Sequence, residues 1–281
     1  MNKFLHIGIC LIFASWLLVF ASNDVSAATI NVAPRNFGLV GYWSFDGKNM
    51  GTTSAGDLTN NGNTGWMING PVRAAGKLGQ ALNFDGSDDY VDAGTGSSLK
   101  IIGPVTFSAW IKTRTVATGV MMIVSNYSGA TTGKYSLELN RTAGRVSFIW
   151  DNAIVLTQNN TPLSVDTWYH VVGVRSGSSG SWTATVYLNG VFDGSSTSAA
   201  NPDGATAATN IGRNPSSGLG FFSGLIDEVR IYDRALSDKE VRVLYNQGVT
   251  KFNSSPKSIL TNGLVGYWTF DQSTMGTTSS R

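Results

Sequence analysis

Between residues 36 and 235 no stretch keeps the 3.6-residue apolar period of a helix, while short alternating or apolar runs recur between turn residues. That pattern limits the chain to an all-β architecture. Candidate strands are Leu39–Phe45, Gln80–Phe84, Tyr90–Ala93, Val105–Lys112, Val120–Ser125, Tyr135–Leu139, Arg145–Trp150, Ile154–Thr157, Trp168–Val174, Trp182–Leu188 and Gly224–Tyr232. Their spacing predicts an antiparallel two-sheet sandwich. Glycine is abundant and only 14% of residues are charged, as suits a turn-rich β protein.

Local signals refine this. Asn189-Gly190 between Leu188 and Val191 predicts a type I′ hairpin, which needs positive φ at both central residues, and residues 176–180 a looser one. In Val105–Lys112 the side chains of Val105, Phe107, Ala109 and Ile111 share the face expected to pack against the opposite sheet. Trp110 falls on the other face, either roofed by a loop or open to a ligand. One short C-terminal helix is expected over Ser237–Gly248, where Ser237 and Glu240 form a capping box, Val241, Leu244 and Tyr245 a stripe, and Gly248 the stop.

Organisation follows from a repeat. Gly38-Leu39-Val40-Gly41-Tyr42-Trp43-Ser44-Phe45-Asp46 returns as Gly263-Leu264-Val265-Gly266-Tyr267-Trp268-Thr269-Phe270-Asp271. The interval far exceeds the roughly 20 to 50 residues of solenoids and propellers, so whole domains are repeated in tandem. Residues 36–250 are expected to form one domain, 251–262 a linker, and 263–281 the first strand of a truncated second copy. Lys3, the apolar run Phe4–Phe20 and Val25-Ser26-Ala27 give residues 1–27 the layout of a secretory signal peptide, with an uncleaved membrane anchor as the rival reading. Removal of the leader takes away Cys10, the only cysteine, and leaves no membrane span. A formal charge of +2 with scattered Lys and Arg supplies no basic stripe for nucleic acid.

Six blocks then occur in order: the 38–46 segment, Leu82–Val91, Phe107–Lys112, Trp168–Gly173, Val186–Gly190 and Gly224–Ser237. Together they resemble the laminin-G-like jelly-roll domain of the concanavalin A-like lectin/glucanase superfamily, over nearly all of residues 36–250. The resemblance implies two curved antiparallel sheets with the first strand beside the last, and a role in binding carbohydrate, protein or a surface. It implies calcium near that strand pair, where Asp46 and Asp227 would converge and Asp57, Asn60 and Asn63 follow in an oxygen-rich loop. The alternative is structural: an Asp46-Gly47 turn, Asp227 at a strand end and Asx turns over 60–63.

Other constellations are weaker. Asp85–Asp92 lacks the glycine and glutamate of an EF-hand loop, and reads as a hairpin with solvated carboxylates. Glu138 has no evident partner acid on its strand and reads as solvated surface. His170 reads as a hydrogen-bonded framework residue. Ligand-stacking candidates are Tyr127 with Asn126, Trp150 with Asp151, and Phe221 with Phe222, each of which a core role would explain equally. The expectation is a secreted, extracellular or cell-surface binding module for a polysaccharide or glycan, not an enzyme. A protein-binding or adhesive module without glycan affinity, and a polysaccharide hydrolase or lyase, are the alternatives.

Overall fold

A computed structural model describes residues 36–116, 119–127, 135–140, 144–150, 155–202 and 207–249. The expected signal peptide 1–27, the expected linker 251–262, the expected second copy 263–281 and Asp151 lie outside the described residues. No helix among the described residues is long and apolar enough to cross a membrane.

The strands in chain order are β1 (Leu39–Trp43), β2 (Ser54–Ala55), β3 (Gly65–Ile68), β4 (Val72–Ala75), β5 (Gln80–Asp85), β6 (Tyr90–Asp92), β7 (Val105–Thr113) and β8 (Met121–Ser125). They continue with β9 (Tyr135–Asn140), β10 (Arg145–Trp150), β11 (Val155–Gln158), β12 (Trp168–Ser178), β13 (Ser181–Leu188), β14 (Val191–Ser198), β15 (Asn210–Ile211) and β16 (Ser223–Tyr232). One helix, α1 (Asp238–Val249), follows. The first sheet runs β14-β13-β12-β7-β16-β5-β4, with β1 also paired to β16; the second runs β11-β10-β9-β8-β15-β6-β3-β2. The fold is an antiparallel jelly-roll sandwich, and its first and last strands are neighbours.

The core lies between the sheets and takes alternate residues of each long strand. Val105, Phe107, Ala109 and Ile111 of β7 enter it, as the alternation predicts, facing Leu137, Phe148 and Trp150. A fully buried side chain of this size contributes roughly 1.5–3 kcal/mol. Arg175 is also buried, its guanidinium lying over the rings of Tyr135, Trp150 and Trp182 and donating to Ile102 O at 2.8 Å.

A second, smaller cluster sits on the outer face of the first sheet, where Val172, Val174, Tyr187 and Tyr232 meet Val241 and Leu244 of α1. The capping box forms: Ser237 N donates to Glu240 Oε2 at 2.8 Å, and Glu240 N to Ser237 Oγ at 3.4 Å. Gly248 is not the stop, because α1 continues to Val249. Its need is close approach: a Cβ there would lie 2.4 Å from Trp110 Cζ2. Tyr245 stacks on Trp110 at 5.6 Å, so the helix roofs this tryptophan. Asn189 and Gly190 take φ of 52° and 77°, giving the expected hairpin.

Candidate functional site

Two places bring chemistry-bearing residues together. The first is a junction in β16, whose opening residues pair with β5 and whose closing residues, from Val229, pair with β1. At the change of partner Glu228 adopts φ 55° and the register with β7 shifts after Asp227. A loop over residues 76–80 crosses this junction. Asp227 Oδ2 accepts the amide hydrogens of Lys77 at 2.8 Å and Leu78 at 2.9 Å, and Asp46 Oδ1 accepts that of Gln80 at 3.0 Å. The approach is tight enough to demand glycine, since a Cβ on Gly79, at φ +55°, would lie 2.0 Å from Asp46 Oδ1.

Asp227 is 0% exposed. Burial, with repulsion from Glu228 and Asp46 added and the Leu78 and Lys77 amides opposing, pushes its carboxyl up to about 8. Its second oxygen, Oδ1, and the nearby side-chain oxygen of Gln80 are buried without a hydrogen-bond partner. Orphaned hard oxygens beside a carboxylate pair fit a calcium ion, which takes 6–8 such ligands. Gln80 carries no signal in the sequence that would single it out.

Of the other expected metal ligands, Asp57 and Asn63 are committed elsewhere. Asp57 closes its own loop onto the free side of β1, Oδ1 accepting from Tyr42 N and Thr59 N and Oδ2 from Thr59 Oγ1 and Asn63 N. Asn63 is buried, its side chain donating to Val40 O at 2.8 Å and its carbonyl accepting from Trp43 Nε1 at 2.9 Å. Asn60 is exposed. Asp57 and Asn63 thus form a latch for β1, and their side-chain oxygens already have donors. Asp85, Asp88 and Asp89 lie close together, but Asp89 is buried and accepts from Asp85 N at 3.0 Å, so this hairpin is less solvated than expected.

The second place is the outer face of the second sheet. Residues directly opposite each other in antiparallel strands share a face. The pairings Ser54–Trp66, Trp66–Asp92, Asp92–Asn210, Asn210–Ser125 and Ser125–Ser136 therefore draw one polar row across six strands. Their sequence neighbours Val91, Ile211, Val124 and Leu137 point the other way, into the core. The row is buried from Asn210 onward and open at its other end, where Trp66 is 56% exposed.

Around that indole the polar groups are chained. Asn210 Nδ2 donates to Asp92 Oδ1 at 3.2 Å, and Arg213 Nε donates to Asn210 Oδ1 at 3.0 Å. The Arg213 guanidinium carbon sits 3.5 Å from the centre of the Tyr90 ring. The exposed indole thus shares a sheet face with a carboxylate and an amide, and the amide holds a guanidinium.

The sequence candidates for ring stacking fall mostly outside this row. Trp150 is 0% exposed, packed edge-on against Trp182 between the sheets, and Phe222 is equally buried against Phe84. Neither ring can meet a ligand, because core packing occupies both. Asn126 is buried and caps a strand end, Oδ1 accepting from Tyr135 N at 2.7 Å. Tyr127 and Phe221 are half-buried and lie outside the strands; Tyr127 follows the closed end of the row, its amide donating to Ser125 Oγ at 3.1 Å. His170 is buried with Nε2 2.9 Å from Ser108 Oγ, and burial lowers its pKa to about 3, so it is neutral framework. Glu138 is not solvated. It is buried, bonded to Ser136 Oγ at 3.2 Å and pushed up to about 7 by that burial, and it faces Met122 and Ser147 across the strands with no second acid opposite.

Residues 85–242, more than half of the chain, match the family model described as the concanavalin A-like lectin/glucanases superfamily. No curated protein matches the chain by sequence. Among solved structures, domain 4 of AbnA, an extracellular arabinanase of Geobacillus stearothermophilus, in complex with arabinotriose, is similar at 24% identity and TM-score 0.59, covering 74% of this chain and 98% of that one. The binding domain of Paraclostridial Mosquitocidal Protein 1 is similar at 18% identity and TM-score 0.56, covering 75% and 52%. Trypanosoma rangeli sialidase in complex with sialic acid is similar at 19% identity and TM-score 0.55, covering 74% and 32%.

Proposed function

The chain belongs to the concanavalin A-like lectin/glucanase superfamily, and from that premise we propose that it is a secreted carbohydrate-binding module whose polysaccharide or glycan ligand lies along the open end of the Trp66 row. The observation that carries this reading is Trp66 itself. Exposing an indole to water is unfavourable, and an exposed ring on the same sheet face as Asp92 and Asn210, opposite Asp92 in register, matches a pyranose or furanose, which has an apolar face and a rim of hydroxyls. Asp92 accepts from sugar hydroxyls and Arg213 donates to them. Likeness to a domain solved with arabinotriose and to a toxin binding domain supports a module that grips its ligand without transforming it.

The binding is tested by titrating the full chain with arabinotriose and with a panel of neutral oligosaccharides, before and after Trp66→Ala. Binding that disappears in the variant while the melting temperature holds supports the reading. Binding that survives the substitution overturns it.

We also propose that calcium is held by Asp46 and Asp227 with the side-chain oxygen of Gln80. When bound, the ion would take the place of the proton that Asp227 otherwise holds and offset the repulsion between the two ionised carboxylates. Asp46 and Asp227 tie β1 and β16 to the loop over residues 76–80, so this ion would stabilise the scaffold rather than touch the sugar.

A further inference from the structure

A cavity of about 280 Å³ opens on the outer face of the first sheet, lined among others by Ala74, Asn83, Lys112, Arg114, Asp166 and Leu225. Its floor follows from strand register. Asn83, Leu225 and Lys112 stand directly opposite one another across β5, β16 and β7, so they share one face. That face is the continuation of the one α1 covers, because Lys112 lies two residues beyond Trp110. Gly224 keeps the floor flat, since a Cβ at its φ of +141° would lie 2.2 Å from Lys112 O.

The charge here is not spent on the protein. Among the described residues Arg230 is paired with Glu228 and Arg234 with Glu240, whereas neither Lys112 nor Arg114 forms an ion pair. Arg114 is instead aimed by neutral acceptors, its Nη1 donating to Phe84 O at 2.9 Å and its Nη2 to Asn83 Oδ1. The contrast with the larger cavity of about 500 Å³ beneath α1 is direct, because Arg230 in that wall is already neutralised by Glu228. A guanidinium positioned without an ion-pair partner among the described residues, with the ammonium of the residue two places earlier lining the same cavity, is a recognition element for an anionic group.

Asp166 narrows the class. An acceptor carboxylate in the wall repels a compact dianion such as phosphate, yet it suits a ligand that carries hydroxyls beside its own negative charge. We propose that this pocket holds the carboxylate of a uronic acid residue, with Lys112 and Arg114 at the carboxylate and Asp166 accepting from a neighbouring hydroxyl. The inference rests on the reading of the chain as a glycan-binding module, but its residues lie on the opposite sheet from Trp66, so the two can fail separately.

The test is titration of the full chain with galacturonate, glucuronate and mannuronate trimers and with their methyl esters, comparing the unaltered chain with Lys112→Gln, Arg114→Gln and Trp66→Ala. Melting temperatures report on folding. Lys112→Gln removes a charge that makes no hydrogen bond among the described residues, so it serves if Arg114→Gln loosens the β5 contact. At least one acid trimer is expected to bind, and both esterification and Lys112→Gln to weaken it about tenfold. Trp66→Ala should leave the difference between acid and ester intact. Equal binding of acids and esters, binding indifferent to Lys112→Gln in folded protein, or no acid trimer bound would overturn the proposal. Loss of the acid preference in Trp66→Ala alone would place the anion site on the second sheet and overturn it equally.

Discussion

Asp46 and Asp227, far apart in the sequence, reach one loop together: Asp46 accepts the amide hydrogen of Gln80, while Asp227 accepts those of Lys77 and Leu78. The two carboxylates therefore join the first and last strands through a third segment. That arrangement leaves Asp227 Oδ1 and Gln80 Oε1 buried and unpartnered. Millimolar calcium is expected to raise the melting temperature, and Asp227→Ala or Gln80→Ala to reduce that rise. A calcium response undiminished in both variants would place the ion elsewhere.

Without calcium the same pair sets a pH dependence. The Asp227 carboxyl is pushed up to about 8, chiefly by burial, against an ordinary value near 4, so the folded state holds a proton there that the unfolded chain has released. Its contribution is present in full below about pH 4 and fades as pH rises through about 8. Thermal melts in chelator should show Asp227→Asn flattening this decline between about pH 5 and 8. A decline of unchanged steepness would show that Asp227 is ionised in the fold.

His170 works in the opposite direction. It is buried beside Ser108, its pKa lowered to about 3 by burial first and by Arg230 second, so the unfolded chain binds the proton more readily. Stability from this group is complete above about pH 6.5 and is lost as pH falls toward 3. Acid melts of His170→Gln should fall less steeply over that interval. The histidine is read as framework, and a variant that tracks the unaltered protein throughout would remove it from the acid response.

Helix docking depends on one missing methyl group. A Cβ on Gly248 would lie 2.4 Å from Trp110 Cζ2, whereas a Cβ on Gly103 would meet nothing within 4 Å. Gly248→Ala is expected to cost about 1–3 kcal/mol in chemical denaturation, as overpacking does, and Gly103→Ala to cost little. Equal stability of the two variants would mean that α1 does not press on Trp110.

The long strands were legible because each carries enough alternation to declare its buried face: β7, β9, β10, β12, β13 and β16 all overlap their expected spans. The Asn189-Gly190 hairpin and the Ser237–Glu240 capping box were readable because each is a local hydrogen-bonding rule. The Trp66 row was not. β2, β3 and β15 have two to four residues, too few to establish a period, and their order in the sheet depends on partners far away in sequence. The same limit hides which rings are exposed. Trp150 and Trp66 each stand beside small or polar residues in the sequence, and only the packing of Trp182 and Arg175 against the first separates core from surface. Glu138 was misread as solvated for the same reason, since the groups that bury it come from elsewhere in the chain.

That separation is measurable in stability alone. Trp150→Ala is expected to lower stability by about 3–5 kcal/mol, the usual cost of deleting a large buried aromatic, and Trp66→Ala by less than about 1 kcal/mol. Comparable losses in chemical denaturation would mean that Trp66 belongs to the core and offers no platform.

The most direct measurement is calorimetric titration of the full chain with neutral oligosaccharides, arabinotriose among them, beside the Trp66→Ala variant. A binding module built on the Trp66 row predicts saturable binding of at least one sugar, with no turnover, that weakens about tenfold or more when the indole is removed, a loss of roughly 1.4 kcal/mol. Undiminished affinity in the folded variant, or steady conversion of the sugar to products, would contradict it.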